Sequence, residues 1–291
     1  MMNALIGGAI GAVAWVLWSL NYEKRMAPDS YQYAAMAKGQ RVVSPFWGRW
    51  LMPFVLRERG YLWEAMTLLA TVMLHACVAA AYGPRAALLL APMHLISWNI
   101  KVPVQVDLAA LALVSLALLV KHPVALVILG IYAGAIRENA PIMAAIAAWS
   151  PWPLVGLVGI LPGLRWRRKL DLAVDKNPWL THPWQATFAS KRLLWMNPRI
   201  MLFPWGLSLA LAFSTGLELR LLAALAVAYA PLIRSSDNAR LYLWALPVVL
   251  GYAVQAPIPD AWWPAILLAH GAVAVYACEV THYSKGGIQI S

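Results

Sequence analysis

A few side chains in this sequence stand where an ionised group is costly and where its chemistry would be useful. They are the acids Asp29, Asp107 and Glu138 and the bases Arg49, Lys101 and Arg137. Each lies in or beside a hydrophobic stretch, where a charge needs a partner, water or a ligand. Asp29 sits at the centre of a polar loop, residues 21–60. That loop also carries Lys24, Arg25, Lys38, Arg41, Arg49, Arg57 and Arg59. A carboxylate in a wet loop stays ionised and can take a proton from a hydroxyl. Guanidinium and ammonium groups suit phosphate oxygens. The set fits proton abstraction beside a bound phosphate. Each residue also has a plain structural role open to it. Asp29 and Asp107 could cap helices, Arg137–Glu138 could mark a membrane boundary, and Lys101 near Trp98 could anchor at an interface.

The elements that must position these groups are overwhelmingly apolar. Hydrophobic residues make up 62% of the chain and charged residues 12%. A soluble domain holds about 45–50% and about 25%. This composition predicts an all-α, polytopic membrane protein. Full-length spans are expected at Met2–Leu20, Tyr61–Tyr82, Pro141–Leu164, Leu217–Ile233, Leu241–Ala256 and Ala261–Val280. Shorter apolar runs lie at Arg85–Trp98, Val106–Val120, Pro123–Ile136 and Ile200–Ser214. Each covers about 21–23 Å, less than the roughly 30 Å hydrocarbon core, as broken helices around a wet pocket do. Together they predict about ten crossings in one integral domain, residues 1–291, with both termini in the cytoplasm. The first segment lacks a basic start and a small-residue cleavage site, so it is expected to be a retained helix.

The positive-inside rule supports this orientation everywhere except at the first loop. A second basic loop, Arg165–Arg199, alternates bases with Trp179, Trp184 and Trp195, as a segment on an anionic leaflet does. Five crossings are expected between the two loops, which puts them on opposite faces. Either that count is off by one, or the first loop keeps its bases outside for a reason. The expectation adopted is the second.

Within the first loop, Pro28-Asp29-Ser30 starts a short helix with Asp29 or Ser30 as its cap, and Gly39 ends it. Phe46, Trp47, Trp50, Leu51, Phe54 and Val55 form an apolar stripe. Such a helix is expected to lie flat on the membrane, turn Arg49 to water, and kink at Pro53.

These residues carry a resemblance. Asp29, Tyr31, Ala34 and Ala35, then a glycine and Arg49-Trp50-Leu51-Met52-Pro53, are similar to the first extracytoplasmic loop of the GT-C glycosyltransferases. Asp107-Leu108-Ala109-Ala110 and Gly134-Ala135-Ile136-Arg137-Glu138-Asn139-Ala140-Pro141 also resemble segments of the bacterial members. The likeness covers about residues 1–150 and rests on short, degenerate motifs. It implies a GT-C-like fold in the bacterial inner (plasma) membrane. It also implies transfer of a sugar from a polyprenyl-phosphate donor to an acceptor of unknown kind at the extracytoplasmic face. The catalytic acid would be Asp29, with Asp107 and Glu138 secondary, and Arg49, Lys101 and Arg137 would hold the phosphate. Asp29 has no second acid beside it, which leaves dependence on a divalent cation such as Mg or Mn open. The chain also lacks the family's soluble C-terminal domain.

Rival functions stay in view. Basic residues around broken helices equally suit a transporter or flippase for an anionic lipid or small anion. A non-catalytic membrane scaffold fits the scarcity of acids in the apolar runs. The net charge of +11 has no groove-reading helix beside it, so anionic lipid or a phosphate-bearing substrate is expected, not nucleic acid. Cys77 and Cys278 fall in apolar runs as small core residues, not as a disulfide. His75, His94 and His270 also fall in apolar runs without a recognisable haem pair. Gly7-x-x-x-Gly11 fits close helix packing. No Gly-x-Ser-x-Gly, Walker, Cys-x-x-Cys or His-Glu-x-x-His motif occurs, so serine hydrolase, ATPase, thiol redox and zincin chemistries have no carrier.

Overall fold

The computed structural model describes residues 1–21, 24, 28–43, 46–169, 171, 202–230 and 243–282. The described residues are helical, with no strand among them. They group into two compact units, residues 1–87 with 99–171, and residues 88–98 with those from 172 onward. Most of the second basic loop, including Trp179, Trp184 and Trp195, lies outside the described residues.

Unit 1 begins with two helices long and apolar enough to cross a membrane, α1 (Met2–Asn21) and α4 (Gly60–Tyr82). They pack antiparallel, with Gly7 and Gly11 of α1 against His75 and Thr71 of α4. Trp15 donates from Nε1 to Thr67 Oγ1 at 3.2 Å. Lys24, just past α1, pairs with Glu64 near the start of α4. His75, buried against α1, satisfies its Nδ1–H on the Thr71 carbonyl at 2.8 Å.

Between these helices the first loop folds into two short pieces, α2 (Pro28–Ala37) and α3 (Leu51–Leu56). Helix α2 starts at Pro28, ahead of the cap expected at Asp29 or Ser30. Pro at a first helical position costs no hydrogen bond. Asp29 therefore stands inside the first turn, where a negative charge meets the positive helix end, and is not the cap. Gly39, at φ +78°, closes the helix, and Gln40 N–H returns to the Ala35 carbonyl at 2.9 Å. The continuous flat helix expected after Pro45 does not form. Residues Phe46–Gly48 make one tight turn, and α3 starts only at Leu51.

The remaining helices of this unit are the last residues of α6 (His94–Lys101), then α7 (Asp107–Leu116), α8 (Pro123–Ile136) and α9 (Ala140–Ala148). The expected span Pro141–Leu164 is broken. Trp149 takes a left-handed conformation at φ 52° and ends α9. Pro151 and Pro153 follow, and neither has an N–H to continue a helix. The chain then doubles back as a tightly wound run, Trp152–Trp166, with Pro153, Gly156, Gly159, Gly163 and Trp166 buried. This run lies alongside α8, parallel to it. A Cβ at Gly134 would overlap the Gly156 carbonyl, and one at Gly156 would overlap the backbone of Gly130. Gly156→Val is therefore expected to abolish the monodisperse folded peak in size-exclusion chromatography of detergent-extracted protein. Gly60→Ala, with nothing within 4 Å of the added atom, should leave it unchanged.

The break corrects the expected arrangement of the two basic loops. The additional reversal returns the end of the Trp152–Trp166 run to the first loop. The two loops meet at one end of unit 1. Val42 N–H donates to the Trp166 carbonyl at 2.7 Å, and Arg168 N–H donates to the Val42 carbonyl at 2.9 Å. The first loop and the start of the second therefore share an end, not opposite ones.

Unit 2 contains α10 (Ser208–Phe213), α11 (Leu219–Tyr229), α12 (Leu246–Ala253) and α13 (Trp263–His282). Helix α5 (Pro84–Leu90) runs from unit 1 into unit 2, and the expected run Arg85–Trp98 breaks after Leu90. His270 of α13 ties unit 2 together. Its Nδ1 accepts the Leu207 N–H at 2.9 Å and its Nε2–H donates to the Leu89 carbonyl at 2.7 Å. That pattern fixes a neutral imidazole.

Candidate functional site

Four separate stretches of unit 1 place charged groups at the end where α2 and α3 lie. From α2 come Asp29, Ser30 and Tyr33. Arg49 comes from the turn before α3, Asp107 from the first turn of α7, and Arg137 and Glu138 from the link between α8 and α9. Ser30, Tyr33 and Met36 form the buried face of α2 at helical spacing. Tyr33 is fully buried, stacked on Trp63 with ring centroids 6.4 Å apart and edge-on to Phe46 at 5.8 Å.

Arg49 is the hub. Its Nε donates to Glu138 Oε2 at 2.7 Å and its Nη2 to Oε1 at 2.5 Å, a bidentate pair. Its Nη1 donates to the Tyr33 hydroxyl at 3.0 Å. The guanidinium also lies over the Phe46 ring, 5.4 Å from its centroid. Arg49 is 5% exposed, so it does not face water as a flat surface helix would have it. Three buried or half-buried acceptors replace the hydration it loses. Burial works against its charge, but the Glu138 carboxylate holds it firmly protonated. Burial likewise pushes the Glu138 carboxyl up. The adjacent Arg49 guanidinium more than reverses this and brings it down to about 2. A carboxylate so engaged is a weak base, and its part here is to orient Arg49.

Deeper in, Arg137 Nη1 and Asp107 Oδ1 form an ion pair at 2.5 Å, with side chains 3% and 0% exposed. Neither residue caps a helix with its side chain. The start of α7 is secured instead by Asn99, whose Oδ1 accepts the Leu108 N–H at 3.3 Å. Gln105 donates to Ser30 at 3.4 Å and ties this segment to α2. Lys101 is buried nearby in sequence, at 9% exposure, just before that segment.

Tyr33 joins the two pairs. Burial pushes its phenol up, while Arg49 and Arg137 pull it down and Asp29 and Asp107 push it up again. The hydroxyl thus stays protonated with both guanidinium groups and both carboxylates in its field. Asp29, only half-buried, lies within the electrostatic reach of Arg49 as well. The structure brings Asp29, Arg49, Asp107, Arg137 and Glu138 into one neighbourhood. Tyr33 is absent from the sequence-derived set, yet its spacing from Asp29, one helical turn on, is the signal that finds it.

Among the described residues no three His, Cys, Asp or Glu side chains gather as a metal-holding group. The hollow beside the Trp149 break, about 350 Å³, is lined by residues such as Ile142, Ile146 and Leu154 and contains none of the charged groups. Chemically, the charged end offers two half-exposed carboxylates, Asp29 and the Arg49-bound Glu138, beside two fixed guanidinium groups. Comparison of the chain with family models, curated proteins and solved structures finds no match to any of them.

Proposed function

We propose that this protein is a polytopic membrane glycosyltransferase of GT-C-like build. It would move a sugar from a polyprenyl-phosphate donor to an acceptor hydroxyl. The observation that carries this is the convergence of Asp29, Tyr33, Arg49 and Arg137 at one end of unit 1. In this reading Asp29 takes the acceptor proton as the acceptor oxygen bonds to the anomeric carbon. The bond from that carbon to the phosphate oxygen breaks, and its electron pair leaves with the polyprenyl phosphate. Arg49 and Arg137, held by Glu138 and Asp107, stabilise the departing charge before and during cleavage. Lys101 is a further cation for the phosphate. A divalent cation, Mg or Mn, is compatible with Asp29 and is not required by this scheme.

A second reading has its own observation. Of the described bases in unit 1, Arg85 and Lys121 alone fall at the far ends of α4 and α8 from the site. Lys24, Lys38, Arg41, Arg57, Arg59 and Arg165 through Lys169 accompany the site. By the positive-inside rule that asymmetry would favour a cytoplasmic site. A cytoplasmic site suits a flippase or transporter for an anionic lipid.

One labelling experiment separates the two. Lys38 is exposed at the end of α2. Lys38→Cys, in a background of Cys77→Ala and Cys278→Ala, is expected to react with a membrane-impermeant maleimide in intact cells. Reaction only after permeabilisation would remove the transferase reading and favour the flippase.

A further inference from the structure

We propose that the surface of unit 1 formed by Arg41, Phe54, Leu161, Leu164, Arg165 and Arg167 is a docking surface for anionic lipid headgroups, distinct from the Arg49 cluster. Arg41, Arg165 and Arg167 would meet the headgroup phosphates. Phe54, Leu161 and Leu164 would face the acyl chains.

The surface is built, not merely charged. Trp50 stacks on Trp166 with centroids 6.2 Å apart, and Phe54 packs edge-on against both rings at 6.2 Å. Trp50 Nε1 donates to the Gly159 carbonyl at 2.8 Å, which fixes α3 to the Trp152–Trp166 run. Arg165 lies over this platform, 3.7 Å from the Trp166 centroid and 5.1 Å from that of Phe54. A stacked guanidinium keeps its N–H edges free for an anion. The parallel bridge pairs Val42, the residue after Arg41, with Arg167 and so joins the two basic segments.

Arg41, Arg165 and Arg167 are exposed, and no acid pairs with them among the described residues. In the same segments Phe54 is 48% exposed, Leu161 57% and Leu164 46%. Water-exposed apolar side chains that stop at a belt of Trp and Arg mark a bilayer interface. The unpaired positive charge at that level complements anionic headgroups. An acidic protein partner would not account for the apolar band. The inference needs the membrane setting but not the transferase chemistry.

The test uses the purified full chain in detergent, titrated with phosphatidylglycerol or phosphatidylcholine in mixed micelles and read by native mass spectrometry. The wild type is expected to retain phosphatidylglycerol preferentially, and less so as salt rises. Each of Arg41→Gln, Arg165→Gln and Arg167→Gln should weaken that preference about fivefold. Arg85→Gln and Lys121→Gln should leave it unchanged. Three outcomes would overturn the proposal: equal retention of the two lipids, insensitivity to salt in the wild type, or full competition by millimolar inorganic phosphate. The last would show a free-anion site in place of a headgroup surface. Sugar transfer measured in parallel keeps the two ideas apart, because these variants should still transfer.

Discussion

Asp29→Asn is expected to lower sugar transfer by about 10²–10⁴-fold while the protein folds and extracts as before. The physical case rests on where Asp29 stands compared with the other acids. Glu138 spends both oxygens on Arg49, and Asp107 is wholly buried against Arg137. Asp29 is half-exposed, as Glu138 is, but it stands outside that bidentate pair, so an acceptor hydroxyl can reach it. Asn keeps the size but cannot take a proton. The cost to stability should be small, about 0.3–1 kcal/mol, the worth of an acidic charge in a first helical turn. The assay is transfer from a panel of polyprenyl-phosphate sugars by purified protein. Undiminished transfer by Asp29→Asn would reduce Asp29 to a helix-end charge. Loss of both activity and fold would leave it structural. The Tyr33→Phe variant calibrates the result, since it removes only the hydroxyl that Arg49 contacts. Its loss should be smaller than that of Asp29→Asn.

Much of the scaffold was legible in the sequence, because long apolar runs report helices by local pattern alone. Helix α8 occupies Pro123–Ile136 as expected, with Pro at its start and Arg137 at its end. Helices α1 and α4 match within a residue of the expected limits. The run Pro141–Leu164 shows why this approach fails elsewhere. It carries no charge, but Pro151 and Pro153 remove two donors within three residues, and the chain reverses. Hydropathy records solvent preference and not hydrogen-bond supply. That single reversal also inverted the expected relation between the two basic loops.

The site was legible as a set of residues but not as an arrangement. Asp29, Arg49, Asp107, Arg137 and Glu138 announce themselves as charges in an apolar chain, whose burial demands partners. Which charge meets which is a tertiary fact. Arg49 reads as a surface residue because its stripe neighbours are apolar. It is buried because Glu138, far along the chain, supplies two acceptors. Tyr33 carries no charge and so gave no such signal. Its position one turn from Asp29 is the signal that would have found it.

Breaking the Arg137–Asp107 pair should have the largest effect on stability of any single change considered. Arg137→Met leaves the Asp107 carboxylate fully buried opposite a thioether, and Asp107→Leu strands Arg137 in the same way. Removing one member of a buried pair costs about 3–5 kcal/mol. Either single variant is therefore expected to unfold at markedly lower denaturant concentration in detergent. The double variant Asp107→Leu with Arg137→Met should recover most of that loss, because a buried pair and well-packed apolar side chains are often close in free energy. Single variants as stable as the wild type would show that the pair is hydrated and not part of the core. The double variant then serves a purpose the single ones cannot. It restores the fold without restoring the cation. If Arg137 holds the departing phosphate, the double variant is folded and inactive. If the pair only fastens α7 to the end of α8, the double variant is folded and active. Stability and transfer, measured on the same protein, thus separate a mechanical role for Arg137 from a chemical one.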